Sequence, residues 1–570
     1  MSAANILLNL KSPKSFGRIF IWTGILAVIA FLVFQRHQNT GQFNWRSKMW
    51  GDPAGYYVYL PALFIYEFDG TKLPDNIIEK TGEGFTVDES GRIITRYTSG
   101  VAILQAPAFL AVHAFAGIAG QEKDGFSGIY HLVSALAAIL YSFLGLFFLW
   151  RFLRFYFNRS ISFLTLLTLF LGTNLLYYTI DATGMSHVYS FFLFSLLLYL
   201  SHLFFIEPDS TRCNRYFIFI SLTSALIVLI RPTNLVFVGL VFLLNVRSFD
   251  ELAIRIRKVF SIKRILFAVI IFFLVFLPQM LYWKYASGNY VTDSYEGYGF
   301  TNLASPQVLK FLFSTNNGLF PYNPVYILIL FSMLYMIWRK ETNGYYILVV
   351  FLGLVYLFSS WFIFSFGCGF GSRNFVEYTA VFAVPLAYLF NHVKNQSGKI
   401  KYTVVILTAV FVLMNMKLVS AYDKCFLGGD WDWKEYSYFL KSRKYTGRTL
   451  YFNRELLTSE KEFSKGINVN LKNRTWVNYR RATVSLDAKV FQDSTDAMVV
   501  VSIVSQDSTI YWNGVALKNS YNFENHGKKQ RLKADFYLPR YYTTNSAISA
   551  YVWNIGKDSL QVSKIKINLE

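Results

Sequence analysis

Long apolar segments, separated by short polar ones, fill the chain as far as Tyr422. They are mostly about 16 to 22 residues long, which matches the hydrocarbon core of a bilayer at a rise of about 1.5 Å per helical residue. Because one 31-residue segment is interrupted at Arg231-Pro232, we expect it to form a hairpin of two arms of about 15 residues each, which gives about eleven crossings. The predicted membrane-spanning segments lie at about 19–34, 130–150, 160–180, 187–206, 216–246, 265–285, 319–338, 345–364, 379–393 and 403–422.

Beyond Tyr422 the pattern changes to short stretches in which apolar and polar residues alternate. A period of two, bounded by Asn, Gly, Asp and Ser, indicates antiparallel strands. The predicted fold class is an all-α polytopic membrane domain followed by an all-β sandwich. We place the membrane domain at 1–425 with its first outer loop at 37–129, a linker at 426–445 and the sandwich at 446–570. The predicted strands are ATVSLDAKVF, AMVVVSIV, TIYWNGVAL, QRLKADFYL, AISAYVWN and LQVSKIKINL.

Basic residues determine the predicted orientation. Lys11, Lys14 and Arg18 precede the first apolar run, which has no cleavage site after it, so we expect a retained anchor with a cytoplasmic amino terminus. The apolar segment 101–120 is long enough to cross, but a crossing there would put the Arg-rich loops that follow it outside. We therefore expect this segment to be a re-entrant or surface helix on the outer side. The sandwich then lies outside a bacterial cytoplasmic (inner) membrane.

The formal net charge of +21 follows from this orientation. The predicted cytoplasmic segments carry 19 Lys and Arg against 5 Asp and Glu, and the tail from Tyr445 carries 18 against 11. Because the rest of the chain is close to neutral, the excess reflects the positive-inside rule, and we expect no nucleic-acid partner. Three cysteines are too few for a disulfide framework, although Cys368 and Cys425 are both predicted outside and could pair.

The first outer loop contains the strongest candidate for chemistry, in the segment GDPAGYYVYLP at 51–61. Pro53 holds the preceding Asp52 extended and starts a helix whose three tyrosines we expect at the membrane interface. One interpretation makes Asp52 only the cap of that helix. The other makes it a general base at the outer membrane face, and the two roles are compatible.

From about residue 15 to 425 the chain resembles the GT-C superfamily of membrane glycosyltransferases. In that family an acidic residue of the first outer loop is the catalytic base, and the donor is a sugar on a polyprenyl phosphate. Many members carry paired acidic residues in this loop, whereas here Asp52 stands alone between Gly51 and Pro53. The segments that carry the resemblance are GDPAGYYVYLP, RYTSGVAILQAP at 96–107, GTNLLYYTIDATGMSHVYSFF at 172–192, IRPTN at 230–234, NNGLFPYNP at 316–324 and GFGSRNFVE at 369–377.

The resemblance implies an inverting transfer in which Asp52 takes the proton of the acceptor hydroxyl. The leaving phosphate gathers negative charge, which arginine, backbone N–H groups or a metal can stabilise. Arg373 is the first candidate, because the glycines beside it allow close approach and guanidinium binds phosphate in a fork. The alternatives for Arg373 are contact with headgroups and an ion pair with Glu377. Further candidates for substrate contact are Arg96, Tyr97, Arg231 and Glu377.

Asp181 and His187 share a short outer loop and could bind an acceptor or a divalent metal, although such a pair more often caps helix ends. Two ligands do not make a metal site, so we assign no metal ligand and name a divalent cation only as a cofactor that could be required. The tail segment AYVWNIGKDSLQVSKIKINLE resembles the closing strands of carbohydrate-binding jelly rolls. The sandwich could therefore hold a glycan or only pack over the catalytic loops.

The predicted function is glycosyl transfer from a polyprenyl-phosphate sugar to a glycan, lipid or protein acceptor at the outer face of the membrane. The alternative is a transporter or flippase of a lipid-linked saccharide, which would need charged residues within the membrane or a repeat relating two halves. A glycan-sensing scaffold ranks below both, because an anchor does not need eleven spans. The sequence has no GxxxxGK[ST] loop, which argues against a nucleotide-driven pump.

Overall fold

A computed structural model describes most of the chain, in two compact units, Met1–Asp432 and Trp433–Glu570. The described residues are 13–37, 47–294, 298–367, 369–394, 396, 398–422, 433, 436–437, 440, 448–451, 462–470, 481–505, 508–538 and 546–569. Cys368 and Cys425 lie outside these ranges, so their predicted pairing stays a prediction.

The first unit is helical apart from one two-stranded hairpin, β1 and β2. In chain order its elements are α1 (Pro13–Arg36), α2 (Asp52–Tyr57), α3 (Tyr59–Phe64), α4 (Ile77–Lys80), β1 (Thr86–Val87), β2 (Ile93–Ile94), α5 (Gly100–Ile118), α6 (His131–Leu153), α7 (Arg159–Gly172), α8 (Leu175–Ile180), α9 (Ser186–Ile206), α10 (Ser210–Ile230), α11 (Leu235–Val241), α12 (Phe249–Val259), α13 (Ile262–Ser287), α14 (Val308–Phe313), α15 (Leu319–Tyr322), α16 (Val325–Trp338), α17 (Thr342–Ser359), α18 (Thr379–Lys394) and α19 (Lys399–Ala421).

Among the described residues, seven helices are long and apolar enough to cross a membrane, and four shorter apolar helices accompany them. The chain is thus a multi-pass membrane protein, as the apolar pattern predicts. The break at Arg231-Pro232 is present, but the expectation of two arms of similar length is wrong. Asp209 caps α10 by accepting from the backbone N–H of Thr211, so the first arm begins early and runs 21 residues, whereas α11 has only seven.

The helical bundle has two chemically different ends. At one end α6 carries Arg151 in its last turn and is followed directly by Arg154, and α12 carries Arg255 and Lys258. Helix α1 runs antiparallel to α6, since Trp22 packs against Trp150 while Arg36 reaches the opposite end. The basic loops and the candidate site residues therefore lie at opposite ends of the bundle. Which end faces the cytoplasm stays a prediction.

The first outer loop is a folded structure with its own aromatic core. The expectation that its tyrosines anchor at the membrane interface is wrong, because Tyr56, Tyr57 and Tyr59 are buried. Their hydroxyls bind within the protein: that of Tyr57 donates to the Gly125 carbonyl at 2.7 Å, and that of Tyr59 to the Tyr97 carbonyl at 2.6 Å. Buried tyrosines of this kind hold a loop together, since each ring packs while its hydroxyl finds a backbone acceptor.

Helix α5, at the ambiguous apolar segment, belongs to this loop core. It is long enough to cross a membrane, and it runs antiparallel to the first part of α6. Tyr141 of α6 donates to the Leu104 carbonyl near the start of α5, and Tyr130 contacts His113 near its end. Because these contacts lie in the half of α6 away from Arg151, α5 packs at the end of the bundle that holds the site residues.

The second unit is a sandwich of two four-stranded antiparallel sheets, in the orders β3-β10-β5-β8 and β4-β9-β6-β7. This pairing of eight strands in two sheets is the jelly-roll arrangement. All six predicted strands are confirmed; β3 and β4 are two further strands. Alternate side chains from both sheets form one apolar core. The strands are β3 (Arg448–Tyr451), β4 (Ile467–Asn470), β5 (Arg481–Val490), β6 (Met498–Ser505), β7 (Ser508–Ala516), β8 (Gln530–Tyr537), β9 (Ser546–Trp553) and β10 (Leu560–Leu569).

Candidate active site

Asp52 is the first residue of α2, one position after Gly51, which takes a φ of 63° that favours glycine. Both oxygens of its carboxylate bind side chains from elsewhere in the chain. The Tyr97 hydroxyl donates to Oδ1 at 2.6 Å, and the Arg373 Nη1 donates to Oδ2 at 3.3 Å. The carboxylate is 34% exposed and Arg373 is 18% exposed. Because Gly51 stands at the N-cap position, the interpretation of Asp52 as the cap of this helix is wrong, and its carboxylate is instead a partly exposed group bound by Tyr97 and Arg373.

Glycines bring Tyr97 to Asp52. A Cβ added to Gly55 would lie 2.3 Å from the carbonyl oxygen of Gly84 and 2.3 Å from the Tyr97 ring. Only a hydrogen at this position lets α2 pack directly on the strand segment that precedes α5. The Thr95 hydroxyl donates to the Gly55 carbonyl at 3.0 Å and ties the two segments together.

The GFGSRNF loop positions Arg373 in a similar way. A Cβ on Gly369 would meet the Tyr178 hydroxyl at 2.6 Å and Arg373 Cδ at 3.4 Å, so the loop backbone approaches both side chains closely. Burial acts to lower the pKa of the Arg373 guanidinium, but the carboxylate of Asp52 and the phenol of Tyr178 outweigh it, and the pKa lies above its ordinary value. Arg373 is thus a fixed positive charge in contact with Asp52.

A second cluster lies behind this pair. Glu377 is fully buried; its Oε2 is 2.9 Å from Nδ1 of His187, and its Oε1 accepts from Arg231 Nη1 at 3.2 Å. His187 packs edge-on against Tyr178, with ring centroids 4.6 Å apart, and the Tyr178 hydroxyl accepts from the backbone N–H of Phe370 at 3.2 Å. The alternative of an Arg373–Glu377 ion pair is therefore wrong, because each residue is paired with a different partner.

Arg36 is a site residue that the sequence analysis missed. It ends α1 and forms an ion pair with Asp181, while its Nη2 donates to the Tyr422 carbonyl at 2.8 Å. The Tyr422 hydroxyl donates in turn to the carbonyl of Gly369 in the GFGSRNF loop. A signal was available, because an arginine at the end of a span that is predicted to be non-cytoplasmic runs against the positive-inside rule and calls for a local partner.

The remaining predicted residues do not gather into a metal site. Asp181 is bound to Arg36 and His187 to Glu377, so the pair that could have shared a cation has separate partners. In the part of the chain that the structure describes, no three His, Cys, Asp or Glu side chains are arranged to hold a metal. Arg96 is exposed, and the contact it makes is through its backbone carbonyl, which accepts from Ser294 at 2.7 Å.

Together these residues define a membrane protein with a partly exposed carboxylate, a phenol and a guanidinium at one end of a helical bundle. Such a set can accept a proton and bind an oxyanion side by side. It comes from three distant parts of the sequence, since Asp52 lies 45 residues from Tyr97 and 321 from Arg373.

Comparison with solved structures finds ten similar chains. Archaeal oligosaccharyltransferase AglB from Archaeoglobus fulgidus, in complex with an inhibitory peptide and a dolichol-phosphate, is similar at 14% identity and a TM-score of 0.40, over 71% of this chain and 56% of that chain. ArnT from Cupriavidus metallidurans bound to undecaprenyl phosphate is similar at 14% identity and a TM-score of 0.43, over 71% of this chain and 64% of that chain.

The apo form of the Archaeoglobus fulgidus oligosaccharyltransferase has 12% identity and a TM-score of 0.42, over 72% of this chain and 57% of that chain. The chain thus spans between 56% and 64% of the length of these three proteins. No protein-family model and no curated protein matches the sequence.

Proposed function

We propose that this protein is an inverting glycosyltransferase that moves a sugar from a polyprenyl-phosphate donor to a glycan, lipid or protein acceptor at the outer face of the cytoplasmic membrane. One observation carries the proposal: the Asp52 carboxylate and the Arg373 guanidinium meet at 3.3 Å, and both remain partly exposed. Transfer from a lipid phosphate needs one group that takes a proton and one that binds phosphate oxygens, a short distance apart.

In the proposed reaction the acceptor hydroxyl approaches the anomeric carbon from the face opposite the phosphate. Asp52 takes the hydroxyl proton as the new C–O bond forms. The bond between the anomeric carbon and the phosphate oxygen breaks with its electron pair going to that oxygen, so the polyprenyl phosphate leaves with one more negative charge. Arg373 stabilises that charge with a guanidinium fork. Attack opposite the leaving group inverts the anomeric configuration.

The contact between Asp52 and Arg373 also suggests how binding of the donor prepares the base. Without substrate, the guanidinium neutralises the carboxylate and so weakens it as a base. A phosphate that competes for Arg373 removes part of this stabilisation, and Asp52 becomes a better proton acceptor when the donor is in place. The Tyr97 hydroxyl, bound to the other carboxylate oxygen at 2.6 Å, keeps the carboxylate oriented during this exchange.

The other predicted substrate-binding residues have supporting roles in this proposal. Glu377 and His187 are buried, and with Arg231 they fix the wall behind Tyr178. Asp181 and Arg36 join the ends of α1 and α8. These residues position the loops that carry Asp52 and Arg373, and we assign none of them to the reacting atoms.

The test is sugar transfer by the full chain, purified in detergent and supplied with undecaprenyl-phosphate sugars. Asp52→Asn keeps the shape of the side chain and removes the base, so we expect turnover to fall at least about 100-fold. The matched control is Asp75→Asn, which changes an exposed carboxylate of the same loop. If the folded Asp52→Asn protein transfers sugar at the wild-type rate, the assignment is wrong. If the chain moves a labelled lipid-linked saccharide across a vesicle bilayer without forming a glycosidic product, the transporter alternative is correct.

A further inference from the structure

The two outer faces of the sandwich have opposite chemistry. The outward side chains of β5, β8 and β10 are rich in charge, with a cluster in which Asp487 contacts Arg531, Lys529 and Lys564. The outward side chains of β4, β6, β7 and β9 include no Lys, Arg, Asp or Glu within these described strands. The described strands of this second face, called the neutral face, thus carry no charged side chain, although Glu462 lies at its edge beside Trp553. The face carries a set of aromatic rings that the core does not use.

Four aromatic side chains lie next to one another on this neutral face. Phe463 stacks on Trp553 with ring centroids 5.9 Å apart at an angle of 15°, and it also contacts Tyr551. Trp512 stands nearly perpendicular to Trp553, at 5.9 Å and 80°. Trp512 and Phe463 are 48% and 49% exposed. The rings of Phe463 and Trp553 are thus nearly parallel, whereas the ring of Trp512 stands nearly perpendicular to that of Trp553.

A glycine and several polar groups lie beside these aromatic rings. A Cβ on Gly514 would lie 3.0 Å from the sulfur of Met498 and 3.4 Å from the Trp512 ring, so both side chains pack over this glycine. The indole N–H of Trp553 donates to Glu462 at 3.2 Å, and that of Trp512 to the Tyr551 hydroxyl at 3.3 Å. Asn468 is exposed on the neighbouring strand β4. Hydrogen-bonding groups therefore lie next to the aromatic rings, and two of them hold the indoles of Trp512 and Trp553 in place.

We propose that this aromatic face binds a neutral oligosaccharide. The C–H faces of a pyranose pack on Trp512 and Trp553, while its hydroxyls meet the carboxylate of Glu462, the Tyr551 hydroxyl and the Asn468 amide. The distribution of charge argues against an anionic lipid surface as the ligand. Such a surface would be attracted to the basic residues on the opposite face, that of β5, β8 and β10, and would gain no electrostatic attraction from the neutral face. The site is built from residues of the second unit alone, so it can exist whether or not the proposed transferase activity does.

The experiment titrates the full purified chain in detergent with three neutral hexasaccharides, cellohexaose, chitohexaose and mannohexaose, and follows binding by calorimetry. At least one should bind, and Trp512→Ala should weaken it at least about tenfold, the effect of losing roughly 1.4 kcal/mol of ring contact. Trp512→Phe, which keeps an aromatic ring, should restore part of the affinity. The matched control is Phe491→Ala, which removes a similarly exposed ring, one that lies beside Lys489.

Three results would overturn the proposal. The first is that none of the three hexasaccharides binds. The second is that Trp512→Ala and Phe491→Ala weaken binding equally, because the effect would then not belong to this face. The third is that Trp512→Ala abolishes binding to phosphatidylglycerol vesicles instead, which would make the face a membrane contact. A folding defect is recognised separately, because Trp512→Phe keeps the ring and the variants can be compared by thermal unfolding before titration.

Discussion

Replacing Glu377 by glutamine should destabilise the helical unit far more than the same change at Glu251, although the second residue makes the shorter ion pair. The distance from Glu377 to Arg231 is 3.2 Å, whereas that from Glu251 to Arg255 is 2.7 Å. Glu377 is fully buried and Glu251 is 36% exposed. Burial, and not distance, should determine how much stability each variant loses. Water screens the exposed Glu251–Arg255 pair and can solvate Arg255 when Glu251 is replaced.

The magnitudes follow from that difference. Removing one member of a buried ion pair costs about 3 to 5 kcal/mol of folding free energy. Because Arg231 is 21% exposed, we expect the loss for Glu377→Gln at the lower end of this range, about 3 kcal/mol. Glu251→Gln removes an exposed pair one helical turn apart, worth about 0.3 to 0.5 kcal/mol. At roughly 2 °C per kcal/mol for a large unit, the expected loss of Tm is about 6 °C against less than about 1 °C.

The assay uses a cysteine of the protein itself. Cys213 is buried in α10, and replacing Cys368 and Cys425 by serine leaves it as the sole thiol. A thiol-reactive dye then reports unfolding of the helical unit alone, which matters because two units do not share one two-state transition. Equal Tm losses for the two glutamine variants would refute the reasoning. So would additive effects of Glu377→Gln and Arg231→Gln, because partners in one pair should show coupling.

Three other changes test separate parts of the structure. Tyr97→Phe removes the hydroxyl that orients Asp52, so turnover should fall about tenfold with little change in KM, measured by steady-state transfer kinetics. Gly55→Ala should lower the Tm by several degrees and reduce turnover, because its Cβ would meet a backbone oxygen at 2.3 Å; the thiol assay and the transfer assay check both effects. Burial raises the pKa of Asp487, but Arg531 and Lys529 outweigh it and hold that pKa below its ordinary 3.8. The carboxylate should therefore stabilise the sandwich above pH 3.8 and lose that effect as pH falls further, and Asp487→Asn should flatten the acid limb of a Tm against pH curve.

Each of these predictions has a matched control in the same unit. Tyr66→Phe removes a hydroxyl bound to a backbone carbonyl in the same loop, and it should leave KM and turnover unchanged. Gly239→Ala places a Cβ that meets nothing within 4 Å, so its Tm should not fall. Asp493→Asn changes a carboxylate that is 95% exposed, so the acid limb of its Tm against pH curve should match that of the wild type. A control that behaves like its test variant would contradict the corresponding argument.

The sequence predicted the fold better than the partners of its charged residues. Apolar runs and strand alternation report burial directly, which is why the apolar helices and the six strands of the sandwich were found. The tyrosines of α2 were placed wrongly, because composition does not distinguish a ring at the headgroups from one inside a folded loop. Ion pairs such as Glu377 with Arg231, and Asp181 with Arg36, depend on contacts over more than 140 residues, and no local pattern encodes them.

Exposure separates three carboxylate–arginine pairs at this end of the bundle, each of which joins distant parts of the chain. Glu377 is 0% exposed and Asp181 is 9% exposed, whereas Asp52 is 34% exposed. A buried carboxylate that loses its arginine keeps the full cost of an uncompensated charge, so the Glu377 and Asp181 pairs resist exchange with a ligand. The Asp52 pair can exchange, because water or substrate can replace each partner as it leaves. Of the three pairs, the one that can change partners during a reaction cycle is therefore the one formed by Asp52 and Arg373.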